Sequence, residues 1–149
     1  MNVHAKKMHL VDTFYDSPHG LRNRLNISTA YDVALMTREC MKKPLFRRVV
    51  GTQIMETKSI INQAFLVRAS NDPTRKANQY TWVQTNKLLG QFDGLIGCKT
   101  GFTPVAGPCF SGYYKSEGLE LALVLLNSRT QDIRWSEIRS MVAYVKAAV

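Results

Sequence analysis

The chain has 149 residues, 45% of them hydrophobic, and a formal net charge of +9; it suits one domain with a real core and argues against disorder. Its three cysteines, Cys40, Cys98 and Cys109, are odd in number and lack short CxxC spacing, so they argue against a disulfide framework or a zinc site and read as small buried hydrophobes. No apolar run reaches the ~18 residues of a membrane span, no N-terminal stretch has the order of a signal peptide, and the scattered Lys and Arg carry no zinc-finger or RNP-type signature that would point to nucleic acid.

Met1 to Met8 reads as the tail of a helix with no N-cap before it. Residues 9–27 mix Pro, Gly, Asp and Asn and read as an ordered loop. Ser28 or Thr29 can cap the helix that follows. Asp32, three after Thr29, offers a carboxylate at the capping-box spacing, and Val33, Met36 and Cys40 form an apolar core stripe. Pro44 ends this helix or starts a short second one through Val50. Residues 52–60 read as a weak strand, 68–79 as a polar loop and 80–89 as a strand or strand–turn. Three β candidates follow closely, 94–103, 109–115 and 119–126, separated by "PVAG" and "SEG"; such short gaps favour antiparallel hairpins. On the last element Ile138, Met141, Val142 and Val145 step at helical spacing. The order predicts an α+β fold, an antiparallel sheet with helices packed on it.

Within the strongest strand signal lies "GCKTGFTPVAG", Gly97 to Gly107. A strand built only for packing avoids glycine, and a glycine there often marks a close approach to the backbone. A phosphate-binding loop is excluded, since Cys98 separates Gly97 from Lys99 and a strand follows rather than a helix. Lys-Thr-Gly on a strand edge suits a different task. Lys99 can present an ammonium and Thr100 a hydroxyl to a ligand carboxylate. Gly101 lets an extended peptide lie against the strand.

The stretches around it carry a resemblance. "MNVHAKKMHLVDTFYDSPHGL", "STAYDVALMTREC", "WVQTNKLL", "GCKTGFTPVAGPCF" and "LELALVLLNSRTQDIRWSEIRSMVAYV" occur in this order. The chain resembles, over nearly all its length, the later half of the catalytic domain of serine D-Ala-D-Ala carboxypeptidases, peptidase family S11. It would thus be a partial penicillin-binding/β-lactamase-like transpeptidase domain, 1–149 being its C-terminal portion. The resemblance implies nucleophilic acyl transfer on peptidoglycan stem peptides, without metal or organic cofactor. It implies that Lys99, Thr100 and Gly101 bind substrate and that the backbone N–H of Phe102 donates to the oxyanion. His19 and Gly20 match a loop expected to be structural. The family usually works outside the cytoplasmic membrane, and the sequence leaves the compartment open.

The family's nucleophile and base come from Ser-x-x-Lys, and a second motif is Ser-x-Asn. No serine of this chain has lysine three residues later, and Ser-x-Asn is also absent. The chain is therefore expected to be inactive alone, with a missing N-terminal segment or another chain supplying both motifs. Met1 falls mid-motif, which favours a fragment or a split enzyme. The alternative is a catalytically dead relative, a structural subunit of a larger assembly. Without the family's first strands, 119–126 would be an unpaired apolar edge.

Overall fold

The computed structural model describes residues 1–21, 23–58 and 78–149. These form two compact units, 1–51 with 85–149, and 52–84. In the smaller unit, β1 (Ile54–Lys58) pairs antiparallel with β2 (Gln79–Val83), Met55 opposite Trp82. Both strands are exposed throughout. The expected strand 52–60 is thus observed over 54–58. Most of the expected loop, 68–77, lies outside the described residues.

The larger unit opens with α1 (Asn2–Lys7), which is followed by a loop closed by an isolated bridge between Phe14 and Ile27. α2 (Ala30–Met41) is capped by Thr29, whose Oγ1 accepts from the backbone N–H of Asp32 at 3.1 Å. The capping box predicted from sequence does not close. The Asp32 carboxylate turns instead to the preceding loop, accepting from the backbone N–H of Asp12 at 3.0 Å and from Thr13 Oγ1 at 2.7 Å. Asp32 is buried because the loop supplies those donors. The apolar stripe also shifts. Val33, Met36 and Cys40 are half-buried, while the buried line of α2 is Asp32, Thr37 and Met41. Thr37 reaches that face because its hydroxyl is satisfied twice, by Val33 O and by Ser111 Oγ, both at 2.7 Å. Pro44 occupies the first turn of a separate short helix, α3 (Pro44–Val50), where its missing N–H costs nothing.

Three strands form the sheet of this unit, in the order β3 (Leu95–Thr103), β4 (Gly107–Ser116), β5 (Leu119–Leu125), all antiparallel. The hairpin expectation from the short gaps holds. Helix α4 (Ile133–Ala148) packs on one face. Leu95, Phe110, Tyr114 and Leu123 from the sheet meet Ile138 and Val142 from α4, and Leu88 completes the cluster. The other face carries a smaller cluster, Met41, Val50 and Cys98, with Phe46, Ile96 and Tyr113 against it. Of the three cysteines only Cys98 is buried; Cys40 and Cys109 are half-buried.

One irregularity shapes the site. Ile96 pairs with Tyr113 but Cys98 pairs with Gly112, so Gly97 is an extra residue in β3. Its φ is +58°, a region that glycine adopts without penalty. Such a bulge breaks the strict alternation of side chains. Ile96 and Cys98, on either side of the bulge, both join the smaller cluster.

Candidate functional site

β3 is an edge of its sheet, and Lys99, Thr100 and Gly101 lie on it opposite Ser111, Phe110 and Cys109. All three, with Phe102, line a cleft of about 810 Å³. The Lys99 ammonium donates to the carbonyl of Thr100. Thr100 is buried, and its Oγ1 sits 2.6 Å from Thr85 Oγ1. Phe102 is largely exposed. Gly101 has no positive φ, and a Cβ added there would meet only Cys109 Cβ, at 4.0 Å. Neither backbone conformation nor crowding within the fold requires glycine at 101, in contrast with Gly97.

The "TNKLL" stretch explains itself residue by residue. Thr85 meets Thr100. Asn86, buried, donates through Nδ2 to Gly97 O at 3.3 Å and accepts from the N–H of Leu88 at 3.0 Å, so it fixes the bulge. Lys87 pairs with Asp132 at 3.5 Å, and both line the cleft. Leu88 belongs to the core.

The sequence reading missed Arg134. It stands in the first turn of α4, is buried, and lines the same cleft. Its Nη1 donates to Cys109 O at 3.0 Å and Gly101 O at 3.3 Å, clasping the β3–β4 pair at the level of the motif. The guanidinium lies 4.3 Å over the Trp135 ring. Burial pushes its pKa below the ordinary guanidinium value, with Cys109 pulling the other way. Arg134 Nε and Trp135 Nε1 are buried without a hydrogen-bond partner among the described residues. No spacing rule singles out one arginine at a helix start. His19 lines the cleft too, yet its Nδ1 accepts from the N–H of Leu21 at 2.9 Å, the loop duty expected of it.

The chain is similar to the crystal structure of the Streptomyces K15 DD-transpeptidase, with a TM-score of 0.85 and 28% identity, covering 98% of this chain and 52% of that one. Penicillin-binding protein D2 of Listeria monocytogenes, solved with cefotaxime bound, shares the fold at a TM-score of 0.72 and 24% identity, covering 95% of this chain and 51% of that one. The class is therefore the α+β penicillin-binding fold, present here in part. Residues 1–130 match the family model of peptidase S11, D-alanyl-D-alanine carboxypeptidase, and the chain belongs to that family. Among curated relatives, D-alanyl-D-alanine carboxypeptidase DacF of Bacillus subtilis is 27% identical over 144 residues, 97% of this chain and 33% of the relative. The D-alanyl-D-alanine carboxypeptidase of Streptomyces strain K15 is 28% identical over 144 residues, 97% of this chain and 46% of that protein. The chain spans between a third and about half the length of the relatives it matches.

Proposed function

We propose that this chain is the substrate-recognising part of a serine-type D-Ala-D-Ala peptidase whose attacking group lies outside these 149 residues. The observation that carries the reading is the placement of Lys99, Thr100 and Gly101 together on an edge strand facing one cleft. A stem peptide ending in D-Ala-D-Ala would lie antiparallel to β3, its terminal carboxylate between the Lys99 ammonium and the Thr100 hydroxyl. Arg134, clasped beneath Gly101, holds that strand in place and adds positive potential to the cleft. The N–H of Phe102 would donate to the oxyanion as the scissile carbonyl becomes tetrahedral. The serine that attacks, the lysine that takes its proton and the Ser-x-Asn pair would be supplied by a preceding segment or a partner chain.

Recognition without an attacker gives binding but no acyl-enzyme. The purified 149-residue chain is accordingly expected to show no covalent penicillin adduct by intact mass and no release of D-alanine from a D-Ala-D-Ala peptide. A stoichiometric penicillin adduct would overturn the reading. In material from its natural source, native mass spectrometry is expected to reveal a polypeptide carrying Ser-x-x-Lys, either in the same chain or bound to it. Partners that all lack that motif favour the structural-subunit alternative.

A further inference from the structure

The positive charge is not evenly spread. Residues 38–48 hold Arg38, Lys42, Lys43, Arg47 and Arg48 against Glu39 alone. Three of them, Arg38, Lys42 and Arg47, line a cavity of about 560 Å³, where Lys115 of β4 joins them. The cavity is also lined by Met41, Ile96 and Tyr113, all members of the smaller core cluster or packed on it. No residue is shared with the Lys99 cleft, so the two are separate sites.

The carboxylates nearby are already engaged. Glu120, which lines the cavity, accepts from Tyr113 Oη at 2.7 Å and pairs with Lys115. Glu39 pairs with Lys42 at 2.7 Å and with Arg38 at 3.7 Å. Four cations less these two carboxylates leave a local charge of +2. Arg47 Nη1 donates to Met41 O at 3.0 Å, which fixes the guanidinium at the end of α2. The bond to Glu120 and burial raise the pKa of Tyr113, while the charges of Arg38 and Arg47 pull it down, so both guanidinium groups bear on the cavity wall.

Most lysines and arginines sit on solvated convex faces, where their charges are screened. Here they converge on one concavity whose wall includes Met41 and Ile96; Arg38, Lys42 and Lys115 are themselves largely exposed, so it is their convergence rather than burial that raises the local potential. Guanidinium forks match phosphate oxygens in two-point geometry. A doubly charged group neutralises the site where a single carboxylate would not. We propose that this cavity between α2, α3 and β4 binds an organic phosphate dianion, with Arg38, Lys42, Arg47 and Lys115 on the phosphate and Met41, Ile96 and Tyr113 against the organic part.

Phenyl phosphate, at a pH where it is doubly charged, is a suitable probe of the full chain by titration calorimetry. One saturable site is expected. Arg38→Gln/Arg47→Gln should weaken it at least about tenfold, the loss of two charge-assisted contacts. Lys6→Gln/Lys7→Gln removes the same charge away from the cavity and should change affinity less than about twofold. Lys42→Gln/Lys115→Gln, on exposed side chains, repeats the test should the arginine pair lose its near-UV circular dichroism. Equal losses in the cavity and control variants, or no saturable site in the wild type, would refute the proposal. Phosphatidic acid vesicles, whose headgroup is a phosphate monoester, at the same pH then identify the source. Vesicle binding that phenyl phosphate displaces supports a lipid headgroup as the ligand. Absence of vesicle binding beside intact phenyl phosphate binding supports a soluble phosphate ester.

Discussion

Two glycines of one motif should respond in opposite directions to an added methyl group. Gly97 has φ +58°, and a Cβ built on it would lie 2.7 Å from Val50 Cβ. A non-glycine residue in the left-handed region costs about 1–3 kcal/mol, and overpacking a buried contact a further ~1–3 kcal/mol. Gly97→Ala is therefore expected to destabilise the chain by roughly 2–6 kcal/mol. At Gly101 φ is not positive and the added Cβ meets one atom at ordinary contact distance, 4.0 Å. Alanine there restricts the unfolded chain and should stabilise by about 0.4–1 kcal/mol. Equilibrium urea unfolding, with the m-value shared between variants, measures the difference. Against a total stability of about 5–15 kcal/mol for a domain, the two midpoints should separate widely. The reasoning fails if Gly101→Ala loses about 2 kcal/mol or more, a typical cost for a residue that the fold itself requires. Gly101 would then serve the fold, and the space beside it would say nothing about a ligand backbone.

Thr37→Val and Ser111→Ala test the polar tie between α2 and β4, where the hydroxyls stand 2.7 Å apart. Either single change leaves a poorly hydrated hydroxyl without that partner and should cost about 1–3 kcal/mol, and the double variant should cost less than the sum, as a double-mutant cycle in urea will show. Burial raises the Cys98 thiol to about 11 from its model-compound value, with Cys40 adding to the shift. Native iodoacetamide labelling, read by peptide mass, should therefore leave Cys98 unmodified under conditions that alkylate the unfolded chain. The sign for stability follows. The folded state holds the Cys98 proton more tightly, so this contribution is complete below the thiol pKa of the unfolded chain. It is lost as pH rises towards about 11. Cys98→Ala should flatten that alkaline decline in stability.

Element type was legible in the sequence wherever one rule dominated. The strand candidates 94–103 and 119–126 between turn signals, the cap at Ser28 or Thr29 and the proline at 44 each follow from local chemistry, and the structure places β3, β5, α2 and α3 there, with Thr29 as the cap. What escaped depends on contacts between distant residues. The buried face of α2 turned out to be polar at Asp32 and Thr37 because a loop twenty residues upstream and a strand far downstream supply their partners. No helical period reveals that. The bulge at Gly97 was visible only as a glycine in a strand; its anchor, Asn86, had no signal of its own. Arg134 lies just before the apolar stripe of the last helix, where nothing in the local pattern distinguishes it. Its place beneath Gly101 needed the sheet and α4 to be assembled first.

Those same long-range ties bear on how the cleft would work. Three residues outside the motif hold β3 in place, Thr85 at Thr100, Asn86 at Gly97 and Arg134 at Gly101. Each bond is made within the chain, before any ligand arrives. An edge strand fixed in this way needs little further ordering when an extended peptide adds to it, and the saved entropy appears as affinity. On the proposed reading, the residues that attack the peptide would come from outside these 149 residues. Recognition and bond-making would then be carried by separable stretches of polypeptide. Since the ties that hold β3 are all made within this chain, the affinity of the cleft for a D-Ala-D-Ala peptide is expected to be measurable apart from any bond-making.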